Sequence, residues 1–458
     1  MVRVDQFMWE SEVEGMERQM RKRQEVAGFN SGRNVIIELM IVFCIMCRFG
    51  FPGNLAMVFG GEKINQAIDY GSSFLQLILI ILCSGGSVLE LKLIDLKRKY
   101  LPIYIMLLVM FAVSILVTEN RIKQTTIIIR FSITAFFGLW LADNFESDHL
   151  LDLIFLAQIG IVVANLLTLF VFRSAGYHYD DGYGYTFRGL YTQKNGLGAA
   201  FAYGIVFQVT QWNMKREREQ GVSLFFWGIL LCQVFLLLIS KATTAIFCCI
   251  LPIVYQIYYR TAHRQWRMQW GFVYTIVTVG FLFMAMTIMP LFSSALEAIG
   301  KDATLSNRIP MWEKIIAFMQ ENHTLTGYGL LQFWETPSAL KTLHTYYERN
   351  SWYRSMSYGA HSVLLEMWLD LGLIGVVAYF ITIIYCFRNV GELTNDDYIM
   401  ASMILIPLLI SGLTDRIYTN SNEKTMLFFL MLGVACKGNE KRLQMIRTRM
   451  RKRSAQAK

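Results

Sequence analysis

Twelve apolar runs, most of them close to twenty residues long, punctuate this sequence and leave few folds open to it. A helix needs about twenty apolar residues to cross a hydrocarbon core about 30 Å thick. Inside lipid a backbone must satisfy its own polar groups, which a helix does within one segment. Only seven prolines interrupt 458 residues. The runs lie near 34–51, 68–89, 100–118, 122–142, 149–172, 196–212, 222–240, 242–258, 270–290, 361–387, 398–414 and 425–436. The expected fold is an all-α polytopic membrane protein with about twelve transmembrane helices. Charged residues make up 17% of the chain and mean hydropathy is +0.39, whereas soluble domains carry about 25% charged residues.

Orientation follows from lysine and arginine in the short connections, which favour the inner side. With the N-terminus inside, the inner segments are 1–33, 90–99, 143–148, 213–221, 259–269, 388–397 and a tail from Lys437. The strongly basic ones all fall on that side, so both termini are expected in the cytoplasm. The net charge of +9 comes from these membrane-flanking segments, which argues against nucleic acid as a partner. Residues 1–33 are polar and basic, and through Arg23 they suit a short amphipathic helix on the inner surface. No cleavable signal precedes the first run. The eight cysteines lie within apolar runs without metal-ligand spacing and read as small hydrophobes.

The domain plan is a basic segment 1–33, helices 1–9 over 34–290, a large outer loop 291–360, helices 10–12 over 361–436, and a basic tail 437–458. Two outer segments stand out. Residues 173–195 interleave Tyr177, Tyr179, Tyr183, Tyr185 and Tyr191 with Asp180, Asp181, Arg188, Lys194 and Asn195. Tyrosines stack on sugars and donate hydrogen bonds, while guanidinium and ammonium groups hold phosphate. The plainer reading is an interface aromatic belt with solvated charges. Residues 291–360 exceed the usual length of a structureless loop, about 12–15 residues. Within them Ile309, Trp312, Ile315, Ile316 and Met319 form a helical stripe, with Asn307 or Ser306 as cap and Pro310 in the first turn. Gly327 and Gly329 around Tyr328 mark a turn. His361 opens the next span, where imidazole suits a general base near neutral pH. Arg130 stands in mid-span and needs a pairing or a task. Arg48 and Arg173 sit near outer span ends, where they can snorkel. Gly372 and Gly375 read as close-packing positions between helices. Chemistry on the outer face has no nucleotide supply, so a substrate there arrives already activated, as a lipid-linked one does.

Three stretches together resemble the bacterial O-antigen ligase and polymerase superfamily. FRGLYTQKNGLGAAFA (187–202) resembles the family's R-G…N-x-x-G start of a span. TLSNRIPMWEKIIAFMQENHTLTGYGLLQFW (304–334) is similar to its Arg, Trp-bearing helix and G-x-G sequence. AHSVLLEMWLDLGLIGVVAYF (360–380) is similar to its H-N/S-x-x-L…G-x-x-G helix. The resemblance covers roughly residues 150–435. The chain departs from the family at SKATTA (240–245), where Thr243 replaces a common Arg and Lys241 offers a nearby charge, and at Ser362 in place of Asn.

The resemblance implies a GT-C-like fold in the bacterial cytoplasmic membrane and a substrate carried on undecaprenyl diphosphate. Membrane lipids, and other polysaccharide-assembly proteins, are the partners it brings. Arg188 and Arg308 would hold the diphosphate, supported by Lys194 and Asn195. His361 would orient or deprotonate the acceptor hydroxyl. Tyr185, Tyr191, Trp312, Tyr328, Lys241 and Arg130 complete the expected substrate-binding set, and no metal or other cofactor is expected. The first expectation is an inverting polymerase of surface polysaccharide. A ligase moving glycan to lipid A core, protein or another acceptor fits the same motifs. A transporter or flippase would show paired halves, and the sequence has no internal repeat. A purely structural membrane protein predicts no loss of polymer chemistry when Arg188 or His361 is changed.

Overall fold

The computed structural model describes residues 33–51, 62–83, 98–118, 120–180, 184–191, 193–261, 267–287, 308–335, 359–415 and 422–456. The amphipathic helix expected before Arg23, residues Asp181, Tyr183, Ser306 and Asn307, and most of the long loop's flanks lie outside these residues.

Every apolar run contains a helix. In chain order they are α1 Arg33–Arg48, α2 Glu62–Cys83, α3 Leu101–Val117, α4 Arg121–Asn144 and α5 Ser147–Phe170. A hairpin follows, β1 Tyr177–Asp180 with β2 Gly184–Phe187, paired antiparallel. Then come α6 Lys194–Glu217, α7 Leu224–Ile239, α8 Thr243–Thr261 and α9 Trp270–Thr287. The loop helix is α10 Arg308–Glu321, and α11 Val363–Phe387, α12 Asn395–Thr414 and α13 Glu423–Gln456 complete the order. Among the described residues four segments meet the length and composition of a membrane crossing: Arg121–Asn144, Ser147–Phe170, Val363–Glu392 and Asn395–Leu413. Shorter apolar helices stand at Gln66–Ile81, Leu101–Val117, Leu224–Ile239 and Trp270–Ala285. The chain is an all-α membrane protein. Three of these helices start at polar side chains that cap them: Asn120 accepts from Lys123 N–H, Ser223 from Phe226 N–H and Thr394 from Asp397 N–H.

The most extensive helix–helix packing is that of α4 with α13. A Cβ on Gly138 would lie 2.5 Å from the Met426 carbonyl, and one on Gly433 2.6 Å from Ala142 Cβ. Small residues at such crossings let backbones approach where lipid offers no hydrophobic drive. The expected boundary at Lys437 is not a break. α13 runs on for 34 residues, about 51 Å at the usual helical rise, so the apolar run and most of the basic tail are one rod.

The connections sort cleanly to two ends of the bundle. At one end the basic segments are tied to acids across the chain. Lys99 meets Asp143 at 2.7 Å and Glu440 at 2.9 Å. Arg218 bridges Asp148 and Asp396, Lys437 reaches Asp397, and Arg267 donates to carbonyls of the 390–393 turn. The opposite end carries the hairpin, the turn at Ser240–Ala242, the described part of the long loop, and the start of α13.

That loop builds a second small core from Ile309, Trp312, Ile315, Met319, Phe333 and Trp334, packed on Leu365 and Leu369. It also repairs a broken helix. α11 kinks at Gly372, whose φ of +64° suits glycine. The break frees backbone groups on both sides, and residues 324–329 meet them. Leu373 N–H donates to the Thr324 carbonyl (3.0 Å) and Ile374 N–H to that of Leu325 (3.3 Å). In return Tyr328 N–H donates to the Leu369 carbonyl (2.9 Å) and Gly329 N–H to that of Asp370 (2.7 Å). Irregular backbone survives at such a place only when protein satisfies it. Gly372 therefore serves a kink clamped by the loop, rather than the helix–helix contact expected from its sequence.

Candidate active site

The Arg188 motif is shaped by α5. Asn165, near the end of that helix, accepts the Leu190 N–H at 3.0 Å. Gly189 has φ +56°, and a Cβ there would fall 2.0 Å from Asn165 Oδ1. The Arg-Gly pair is thus a turn that only glycine closes. Arg188 and Gly189 N–H both donate to the Gly176 carbonyl. The Arg188 side chain is buried, and burial pushes its guanidinium below the ordinary value. A cation held where its charge is disfavoured gains from an incoming anion.

Tyr191 follows, buried against Gly50 and Gly196. Burial, and secondarily the charge of Glu423, push its phenol well above the ordinary value. That places the hairpin's exit beside the start of α13. Lys194 opens α6 half-buried and Asn195 is exposed. A Cβ on Gly198, one turn on, would meet Ala242 and Ser240. The Lys241 turn therefore packs on the first turns of α6, with Lys241 itself exposed at φ +54°. Tyr185 is exposed on β2 and stands edge-on to Tyr179, centroids 5.5 Å apart.

The third contribution is the start of α11. His361 is a half-buried residue with φ +51°, a backbone region uncommon for any residue but glycine. Its Nδ1 lies 3.8 Å from Asp415 Oδ1, just past the end of α12. The other Asp415 oxygen accepts from Lys424 Nζ at 2.5 Å, in the first turn of α13. Burial opposes the Asp415 charge, but Lys424 and His361 outweigh it and hold the carboxyl well below the usual carboxylate range. Arg308 begins α10 one turn before Trp312, on the same helical face. The Trp312 indole donates to the Ala360 carbonyl at 2.6 Å, so this face of α10 is fastened to the residue before His361.

Several expected binding residues take other places. Trp312 is fully enclosed, with its N–H engaged inside the loop core, so it offers no ring face to a sugar. Tyr328 stacks on Phe318 and stands edge-on to Phe333 as part of the same core. Arg130 is tied to Asp69 and lies over Tyr70, at 4.9 Å. Arg48 joins the same carboxylate at 3.2 Å with its side chain buried, so it does not snorkel to the surface. This two-arginine, one-aspartate cluster between α1, α2 and α4 answers the mid-span charge by pairing. Asp415 and Lys424 carry no motif. Their only sequence signal is an acid and a base at the ends of neighbouring apolar runs. Among the described residues no group of three or more His, Cys, Asp or Glu side chains is placed to hold a metal ion.

A family model described as O-antigen ligase matches residues 226–380, from α7 to α11. The match takes in α10, the Gly-Tyr-Gly turn and His361, and leaves Arg188 and Asp415 on either side of it. No curated protein matches the chain.

Proposed function

We propose that this chain, which a family model described as O-antigen ligase matches over residues 226–380, is an inverting glycosyltransferase of surface polysaccharide. In this reading all twelve apolar helices cross the bacterial cytoplasmic membrane, the basic end faces the cytoplasm, and the fold is GT-C-like. The enzyme transfers glycan from an undecaprenyl-diphosphate carrier to an acceptor hydroxyl at the outer end of the bundle.

The observation that carries the reading is the His361–Asp415–Lys424 cluster at the end where the Arg188 turn, the first turns of α6 and the Arg308 helix gather. With the Nδ1 proton directed to Asp415, Nε2 of His361 is left to accept the acceptor hydroxyl's proton, and Asp415 stabilises the imidazolium formed. The 3.8 Å separation suits a contact that shortens once substrate is bound. The hydroxyl oxygen attacks the anomeric carbon as the bond to the diphosphate oxygen breaks, and the lipid diphosphate leaves. One displacement inverts the anomeric centre. Negative charge grows on the diphosphate, where preorganised guanidinium groups at Arg188 and Arg308 act most strongly. Lys194 and Lys241 add point charges at the same end, and exposed Tyr185 and Asn195 border it.

The polymerase reading adds the growing chain to a new lipid-linked repeat. The ligase description of the matched domain favours a second reading with the same chemistry and a different acceptor, such as lipid A core or protein. Purified protein with a lipid-linked oligosaccharide separates them. Elongated lipid-linked product marks a polymerase, and product only with a separate acceptor marks a ligase. His361→Ala and Arg308→Ala, folded by thermal melting, are each expected to lose about 100-fold or more, the usual cost of removing one transition-state partner. Full activity in both variants would sink the assigned roles.

A further inference from the structure

The peptide that delivers His361 is gripped on both of its polar atoms. The Ala360 carbonyl accepts from the Trp312 indole. The Ala360 N–H donates to the carboxylate of Glu366, one turn into α11. The second Glu366 oxygen accepts from the Trp334 indole at 3.1 Å. All four residues are buried. Ser362, at the usual capping position of α11, makes no side-chain cap. A buried carboxylate is an expensive way to start a helix when serine stands ready to do it. This one is directed instead at the amide before His361. A left-handed backbone at a histidine is strained and persists only where neighbours over-determine it. The indole, the carboxylate and the second indole are those neighbours.

We propose that Glu366 is a positioning residue for His361, acting with Trp312 and Trp334 through the Ala360 peptide. The clamp fixes the left-handed turn that holds the imidazole toward Asp415 while the long loop is tied to α11 beneath it. The proposal rests on His361 being the proton acceptor. Charge-assisted bonds to amide and indole donors are about twice as strong as neutral ones, so the carboxylate grips where glutamine would hold only one donor and turn its own amide N–H toward the other.

The test is a double-mutant cycle on the full-length protein in detergent or nanodiscs. Glu366→Gln is expected to lower kcat about 10- to 100-fold, the range for a displaced catalytic group, with the KM for donor little changed. In a His361→Ala background the same substitution is expected to cost nothing further, because there is no imidazole left to place. Trp312→Phe, which removes the indole N–H and keeps the ring bulk, should behave alike and carries the cycle if Glu366→Gln does not fold. Equal losses in both backgrounds would mean that Glu366 serves only the fold, and the proposal would fall. A folded Glu366→Gln enzyme with wild-type kcat would overturn it as well. If His361→Ala alone keeps full activity, the proton-acceptor reading fails first, and the single variant reports that separately.

Discussion

Replacing Asp415 by asparagine removes one charge and almost no volume, and the structure says what should follow. The carboxylate stands 3.8 Å from His361 Nδ1. Two unit charges at that distance interact by about 4 kcal/mol at an effective dielectric constant of about 20. Asp415 is partly exposed, at 39% of its side-chain surface, and Lys424 claims its other oxygen. Solvent screening and that competition reduce the expected effect to about 1–2 kcal/mol. Asp415 stabilises the imidazolium that forms as the acceptor proton is taken up, so without it transfer should slow about tenfold, at about 1.4 kcal/mol per factor of ten. Asp415 itself does not titrate near neutral pH. Its folded pKa is depressed, so its contribution to stability is full above the unfolded value of about 3.9 and is lost only in stronger acid. Initial rates of glycan transfer near neutral pH read the loss. Asp415→Asn also leaves the buried Lys424 ammonium without that carboxylate. If the variant does not fold, Asp415→Asn with Lys424→Gln removes the cation too and reports the same loss. A folded variant with the wild-type rate would refute an electrostatic link between Asp415 and the base.

Three further outcomes are expected. Asp69→Asn removes the carboxylate that two guanidinium groups share, one of them buried; because Asp69 is partly exposed and the Ser72 and Ser73 hydroxyls still accept from Arg48, the cost should be about 1–2 kcal/mol, seen as a lower melting temperature in detergent, and an unchanged melt would mean the cluster is solvated. Gly189→Ala pushes a methyl group into Asn165 Oδ1 at a positive φ, so transfer activity should be lost while helical circular dichroism stays near wild type; retained activity would show that the Arg188 turn is dispensable. Single cysteines at Asn195 and Lys241 should react with a membrane-impermeant thiol reagent from one side of a sealed vesicle and a cysteine at Arg218 from the other, and labelling of all three from one side would contradict the crossing pattern.

The helices were legible because lipid enforces them. A run such as 149–172 has no alternative to α5, and α5 ends at Phe170, two residues before the run itself ends at Phe172. The break in α11 was not legible. LGLIG reads as helix–helix contact because sequence shows the small residue and not the chain lying against it. The partner that meets Gly372 is residues 324–327, nearly fifty positions earlier. The fusion of the last span with the basic tail was hidden for another reason. Hydropathy falls at Lys437, but helix geometry does not depend on hydropathy, and nothing in KGNEKRLQMI breaks a helix that is already under way.

At the site, motif residues and their supports were unequally visible. Arg188 and His361 stand out because each falls in a motif at the expected outer face. Trp312 stood out too, and its expected role changed, because an aromatic on a stripe with Ile309, Ile315 and Met319 is first a core residue. The residues that tune the candidate base were silent. Asp415 is 54 positions from His361 and looks like any acid after a span, and Glu366 looks like a helical surface charge until its burial is known. Each works through a contact that only the assembled bundle creates. The division has a physical basis. A group that meets a diphosphate must be cationic or titratable, so its side-chain type announces it. A group that holds another side chain in place needs only a hydrogen-bonding atom at the right distance, and distance is the one quantity a linear sequence does not carry.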